Sequence, residues 1–270
     1  MTAIRVGVFG AGGKMGSVVC QAVAGDPDLE LVAAVDPHHA GLEVSRVAGV
    51  EGCEVMVSGD PEVFIEAGVE VAIEFTHLDS ARANLSWLAE NSIHAVVGTT
   101  GFSPEDLDVV RAQFTTSNCL IAPNFAIGAI LLMRFAEQAA PYFETAEIIE
   151  LHHETKRDAP SGTAVATAER MAAASSDWAP DPTTTTVYEG ARGGEGPGGI
   201  RLHSIRMSGM VAHQEVILGT TGQTLTIRHD SIDRSSFMPG VLLATKSVGR
   251  LQGLTLGLDA ALDLDGSASS

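Results

Sequence analysis

A chain of 270 residues with 45% hydrophobic content can fill one large core or two modest ones, and 34 acidic against 16 basic residues give a formal charge of -18. That balance excludes nucleic acid as a partner, because no basic stripe is present to neutralise phosphates. No run approaches the roughly 18 apolar residues of a membrane span, and the opening MTAIRVGVFG enters a strand pattern without signal-peptide architecture, so a soluble, cytoplasmic protein with no membrane partner is expected. Cys20, Cys53 and Cys119 are odd in number, far apart and set among apolar residues, which fits buried free thiols and neither a disulfide framework nor a metal cluster.

The first predicted element, Ile4 to Gly10, is a short Val- and Ile-rich run ending in glycines, as a buried parallel strand does. In the stretch that follows, Met15, Val18, Val19, Ala22 and Val23 recur at helical spacing until Gly25-Asp26-Pro27 stops the pattern, and LELVAAVD returns to strand, closing a βαβ unit at Asp36. The alternation continues through strand-like CEVMVSG, helix-like PEVFIEAG, strand-like VEVAIEFT, a helix over Asp79 to Asn91, and strand-like HAVVGTTG. A further helix is capped by Ser103 with Pro104 at its first position and acids in its first turn, and CLIAPNF follows as a strand. Such alternation predicts a Rossmann-type, doubly wound parallel sheet over residues 1–124, with its ligand site beyond the carboxyl ends of the strands.

After Asn124 the character changes. A helical segment, AIGAILLMRFAEQAAPYF, leads into AEIIELHHETK, and then strand-like TTTTVYEG, GIRLHSIRM, HQEVILGT and TLTIRHD dominate. Residues 125–234 are therefore read as a second, α+β domain on a mixed or antiparallel sheet with helices against one face. The Gly-rich EGARGGEGPGG reads as a mobile loop between two of its strands. A helix from Phe237 to Val248 and a strand-like LTLGL return the chain, over 235–270, to the first domain, and the tail DGSASS reads as disordered.

The loop GAGGKMG does not fit G-x-G-x-x-G in register, because Met15 stands where the third glycine belongs; it fits G-x-x-G-x-x-G through Gly10, Gly13 and Gly16. Glycines let backbone amides approach a pyrophosphate at a helix N-terminus, where the dipole favours anions. A plain glycine-rich turn is the alternative, but the strand before the loop, the helix after it and Asp36 at the next strand end favour a dinucleotide site. Asp36 would accept bonds from the adenine ribose hydroxyls, which favours NADH, whereas Lys14, His38 and His39 could offset its repulsion of the NADPH phosphate, so the cofactor preference stays open. Three further strand ends, Phe75-Thr76-His77, Gly98-Thr99-Thr100-Gly101 and Ala122-Pro123-Asn124-Phe125, place small or hydroxyl-bearing residues where a cofactor would lie.

HHETKRDAPSGTA, from His152, gathers proton-carrying groups in a chain poor in cations. Ser161, Gly162 and Thr163 open a helix-forming stretch, where free amides and hydroxyls bind a carboxylate, with Ser161 as N-cap. An imidazole at His152 beside the Lys156 ammonium could bind an anion and deliver a proton near neutral pH. A solvated charged loop is the alternative. An acidic chain repels anionic substrates, so attraction must come from such a cluster acting within about one Debye length, roughly 8 Å.

EIIELHHETKRDAPSGTA, Glu147 to Ala164, resembles the signature of the 4-hydroxy-tetrahydrodipicolinate reductase (dihydrodipicolinate reductase) family of bacterial lysine and diaminopimelate biosynthesis, and the similarity extends through GAGGKMG, HAVVGTTGF, APNFAIGA, HQEV and IRHDSIDRSSF. The resemblance implies an NADH- and/or NADPH-dependent oxidoreductase that removes the hydroxyl of a small cyclic dicarboxylate as water and reduces the ring to tetrahydrodipicolinate. His152 would be the proton donor or acceptor, Lys156 its catalytic partner and His153 a substrate contact, with Gly162 and Thr163 on a substrate carboxylate. The cofactor would be held by Gly10, Ala11, Gly12, Gly13, Lys14 and Met15, by Asp36, by Gly98, Thr99 and Thr100, and by Ala122, Pro123, Asn124 and Phe125. A homotetramer joined through the second domain is implied too. Another nicotinamide dehydrogenase, or a non-catalytic dinucleotide sensor, would keep the glycine loop but leave the His152 to Thr163 spacing unexplained.

Overall fold

The computed structural model describes residues 2–262; the tail expected to be disordered lies outside them. The chain forms two compact units, one containing Met1–Phe125 and the return from Phe237, the other Ala126–Ser236. No described helix is long and apolar enough to cross a membrane.

The first unit begins with β1 (Ile4–Phe9), α1 (Gly16–Ala24), β2 (Leu29–Val35), α2 (Val44–Val47), β3 (Val57–Ser58), α3 (Glu62–Glu66) and β4 (Val71–Glu74). It continues with α4 (Leu78–Glu90), β5 (His94–Val97), α5 (Pro104–Gln113) and β6 (Cys119–Ile121). The second unit holds α6 (Ile127–Ala139), β7 (Thr145–His152), α7 (Gly162–Ala174), β8 (Gly194–Glu195), β9 (Arg201–Arg206), β10 (Ala212–Thr220) and β11 (Gln223–Ser231). α8 (Met238–Ser247) and β12 (Leu254–Leu256) then complete the first unit.

The first sheet has seven parallel strands in the order β12-β6-β5-β4-β1-β2-β3. Strand order reverses beside β1, between β2 on one side and β4 on the other, which opens a crevice at the carboxyl ends of these strands. The central strands are buried on both faces, so they read as largely apolar runs: Val6, Val8, Ala72, Ile73, Ala95 and Val96 are fully buried. At Ser103 the capping box forms with Asp106, and Pro104 needs no amide partner at the first helical position. The returning segment is tied down by Asn118, whose Nδ2 donates to the Val248 carbonyl at 3.0 Å, and by Lys246, whose Nζ sits 2.8 Å from Asp26 and 2.9 Å from Asp28.

The second sheet is mixed, in the order β11-β10-β7-β9-β8, with only β7 and β9 parallel. Period-two alternation puts Ile148 and Glu150 of β7 on one face with Val216, Gln214 and Leu218 of β10, and all five are buried. α7 packs on β7 and α6 on β11. Glu147 and Leu151 point to the opposite face, where Ile205 remains 38% exposed.

Three expectations are corrected. CEVMVSG shortens to the two-residue edge strand β3, because Met56 before it pairs antiparallel with Glu43. TTTTVYEG forms no strand: its threonines suit a pleated surface, but Val187 and Tyr188 are 85% and 79% exposed and gain no face to pack on. The Gly-rich stretch is not a loop between two strands, since it contributes β8, paired antiparallel to β9, and Arg192, whose guanidinium reaches the Glu147 carboxylate at 2.5 Å. Of the three cysteines, all free, Cys20 and Cys119 are buried and Cys53 only half-buried.

Candidate active site

A cavity of about 700 Å³ lies in the first unit, over the carboxyl ends of β1, β2, β4 and β5. Its floor is the glycine loop: Gly10, Gly12, Gly13, Lys14 and Met15 all line it. Gly10 has φ +71°, and a Cβ there would stand 2.9 Å from the Phe75 carbonyl oxygen; one at Gly16 would stand 1.9 Å from the Gly10 oxygen. These two positions admit no side chain, which lets β1 turn sharply into α1. No side chain caps α1; its Ser17 and Val19 amides donate to the Gly13 and Met15 carbonyls, and the positive end of the helix dipole favours an anion at this loop. Ala11 is the exception in the loop: it is fully buried beneath it.

Asp36, at the end of β2, lines the same cavity and is 7% exposed. Its carboxylate accepts from the Gly12 amide at 2.9 Å and the His38 amide at 3.0 Å, and His39 Nδ1 lies 3.2 Å away. Burial pushes the carboxyl up, but His39 and the two amides outweigh it and hold the group below the usual range. Phe75, Thr76, Gly98, Thr99 and Thr100 complete the wall. Ala122, Pro123, Asn124 and Phe125 do not line it. They follow β6, two strands beyond β4; Ala122 and Phe125 are core residues, and the Phe125 ring packs 5.9 Å from that of Phe75.

A fully buried carboxylate beneath this wall went unrecognised in the sequence. Glu74, the last residue of β4, accepts from Thr99 Oγ1 at 2.5 Å and from the hydroxyl and amide of Thr76. Burial raises its pKa against the pull of those donors. Both threonine hydroxyls are thus committed as donors to Glu74, and Thr99 Oγ1 also accepts the Thr76 amide at 3.0 Å. The only available signal was an acid amid the apolar run VAIE, where a plain core strand has none.

The second unit holds the other half of the predicted residues. His152 ends β7, and its Nδ1 lies 2.5 Å from Oε2 of Glu150, two residues back on the same face. Glu150 is 1% exposed and also receives Arg206 from β9 through both Nη atoms, at 2.9 and 2.8 Å, and the Ser161 amide at 3.2 Å. Burial alone would raise this carboxyl; His152 and Arg206 reverse that and hold it at about 2. Lys156 donates to both oxygens of Asp158, at 2.9 and 2.8 Å, while His153 is exposed with Nδ1 2.7 Å from Thr155 Oγ1. Ser161 caps α7, accepting from the Ala164 amide at 3.3 Å, and a Cβ added at Gly162 would meet nothing within 4 Å. The Ala164 and Val165 amides are thus spent on Ser161, and the space beside Gly162 at the start of α7 is open, where the positive end of the helix dipole favours an anion. The positive cluster the acidic chain requires is present, yet its cations are paired here: the Asp158 partner of Lys156 is 63% exposed and replaceable by another carboxylate, whereas the Glu150 partner of Arg206 is buried and fixed.

Chemically, the first unit fits a dinucleotide, and the second offers an oriented imidazole, an ammonium and helix-start amides for a small anion. Comparison with known proteins agrees. A family model described as "Dihydrodipicolinate reductase, N-terminus" matches residues 4–125, and one described as "Dihydrodipicolinate reductase, C-terminus" matches residues 128–262. The chain is 53% identical to 4-hydroxy-tetrahydrodipicolinate reductase of Nocardia farcinica, over 97% of this chain and 99% of that one. It is 50% identical to the enzyme of that name from Mycolicibacterium smegmatis, over 97% and 100%. Among solved structures, dipicolinate-bound dihydrodipicolinate reductase from Paenisporosarcina sp. TG-14 superposes with a TM-score of 0.84 at 37% identity, covering 96% of this chain and 99% of that one. An amine dehydrogenase from Mycobacterium smegmatis, at 17% identity and TM-score 0.63, shares the fold alone.

Proposed function

The chain belongs to the dihydrodipicolinate reductase family, and from that premise we propose that it reduces 4-hydroxy-tetrahydrodipicolinate to tetrahydrodipicolinate, with loss of water, in lysine and diaminopimelate biosynthesis. The observation that carries this reading is the pairing of His152 with a buried carboxylate that also accepts the Ser161 amide at the start of α7. A reduced nicotinamide, when bound, supplies the hydride, and the protein supplies position, charge and the proton. Gly10 to Met15 would hold the pyrophosphate and Asp36 the adenine ribose. The Gly162 and Thr163 amides would take one substrate carboxylate. Lys156, exchanging Asp158 for a second carboxylate, would fix the ring, with His153 as a further contact. His152, whose Nδ1 is occupied by Glu150, would release its proton from Nε2 as hydride arrives. The balance is substrate, reduced cofactor and one proton giving product, oxidised cofactor and water.

The purified protein is expected to oxidise NADH or NADPH only when the cyclic dicarboxylate formed from pyruvate and aspartate semialdehyde is present. Cofactor binding without turnover would point to a sensor instead. In the same assay both cofactors should be used, with NADH no worse. Asp36 repels a 2′-phosphate, while His38, His39 and Lys14 line the same cavity and offset it. A preference for NADPH of a hundredfold or more, roughly 2.7 kcal/mol, would overturn that balance.

We place the protein in the cytoplasm on its free thiols and absence of a membrane-length helix among the described residues. The partly exposed face of the second sheet, with Ile205 and Leu151, supports the homotetramer that the family resemblance implies. Sedimentation should return the mass of four copies.

A further inference from the structure

We propose that Glu150 is a positioning residue for the reduction: its carboxylate fixes His152 in the tautomer with the proton on Nδ1 and, through the Ser161 amide, ties the start of α7 to the same point. The inference rests on the reading of His152 as proton donor. Its basis is the way one buried group is shared. In a strand, residues two apart lie side by side on one face, so Glu150 and His152 are neighbours while Leu151 and His153 are not. Arg206 stands directly across from His152 on the parallel strand β9 and closes on Glu150 with two hydrogen bonds.

A carboxylate with 1% exposure is a costly occupant of a sheet face, and one guanidinium would have sufficed to compensate it. Instead its Oε2 also meets the imidazole and its Oε1 also accepts the Ser161 amide. Arg206 in turn donates to the Asp158 carbonyl at 2.7 Å, on the loop that carries Lys156. The proton donor, the ammonium loop and the anion-binding helix start therefore share a single anchor.

The groups facing the pair from other elements make the assignment specific. From β10 the residue opposite Glu150 is Gln214, and from α7 Thr167 receives the Gln214 amide at 2.7 Å, both neutral. β9 supplies Arg206 and the hydroxyl of Ser204, the loop supplies Lys156 and Asp158, and His229 of β11 lies opposite Gln214 on the same face. Glu150 is thus the one carboxylate in contact with the His152 ring among the described residues, and replacing it removes the group that fixes the ring's proton.

Nitrogen-15 NMR of the wild-type protein, taken where His152 is neutral, should show the proton on Nδ1; a proton on Nε2 overturns the proposal. Glu150→Gln should lower kcat by about a hundredfold or more, leave cofactor affinity unchanged and move the high-pH limb of kcat/KM to lower pH, because the protonated imidazole has lost its carboxylate. Glu150→Asp should restore part of the pH shift. A kcat loss with the limb unmoved would mark a merely structural role and sink the idea. The wild-type tautomer needs no variant and decides the question if Glu150→Gln does not fold. It is read without substrate, so a failed pairing and a failed assignment of the reaction are told apart.

Discussion

His152→Gln and Lys156→Ala are each expected to lower turnover about a hundredfold to ten-thousandfold, the usual reach of general acid catalysis, with cofactor affinity unchanged. Cofactor affinity is spared because the glycine loop and Asp36 belong to the first unit, and both substituted residues belong to the second. Folding should survive both changes. A glutamine at 152 still offers an amide hydrogen to Glu150, which keeps Arg206 and the Ser161 amide. Removing Lys156 takes the ammonium from Asp158, but Asp158 is 63% exposed and such a surface pair adds little to stability.

The two variants should differ in how the loss divides. His152→Gln removes a proton transferred only in the transition state, so kcat falls and KM changes little. Lys156→Ala removes charge that also holds the ground-state dicarboxylate, so KM rises as well. Steady-state kinetics with the cyclic dicarboxylate, alongside cofactor titration by fluorescence, would show the division. Wild-type turnover in both folded variants would return His152 and Lys156 to a solvated charged loop.

The elements around both sites were legible for different reasons. β1, β2, β4 and β5 are buried over most of their length, so each appears as a short run dominated by Val, Ile and Ala, and the βαβ spacing fixed Asp36 beside the glycine loop. The second sheet was legible through β9, β10 and β11, whose long alternation survives reading as a string. What the string hides is which face a residue takes. Glu147 and Glu150 look like a pair of signature acids, yet a spacing of three in a strand puts them on opposite faces. Glu147 meets Arg192 and His203 on one side, and Glu150 meets Arg206 and His152 on the other. Arg206 and Glu74 were missed for a related cause: Arg206 meets Glu150 from 56 residues away and Glu74 meets Thr99 from 25, and only the sheet register brings each pair together. Ala122 to Phe125 stand apart from the cavity because β6 lies two strands from β4, a distance along the sheet that the string of residues does not display.

Gly13→Asp is expected to abolish useful cofactor binding while leaving the fold in place. Gly10 is the wrong position for this test, because φ +71° and the Phe75 carbonyl at 2.9 Å would strain any side chain there. A misfolded loop would then be indistinguishable from a lost anion site. Gly13 is exposed, has no positive φ, and a Cβ added there meets only the Gly10 oxygen at 3.2 Å, which needs a shift of a few tenths of an ångström. An aspartate at 13 therefore fits, and its charge stands where the pyrophosphate must lie. Two unit charges about 4 Å apart near a protein surface repel by about 4 kcal/mol. At 1.4 kcal/mol per tenfold, that is close to a thousandfold in Kd. Gly13→Asn carries the same bulk without the charge and should lose far less. Equal losses in the two variants would assign the effect to sterics, and an unchanged Kd in Gly13→Asp would remove the pyrophosphate from this loop altogether.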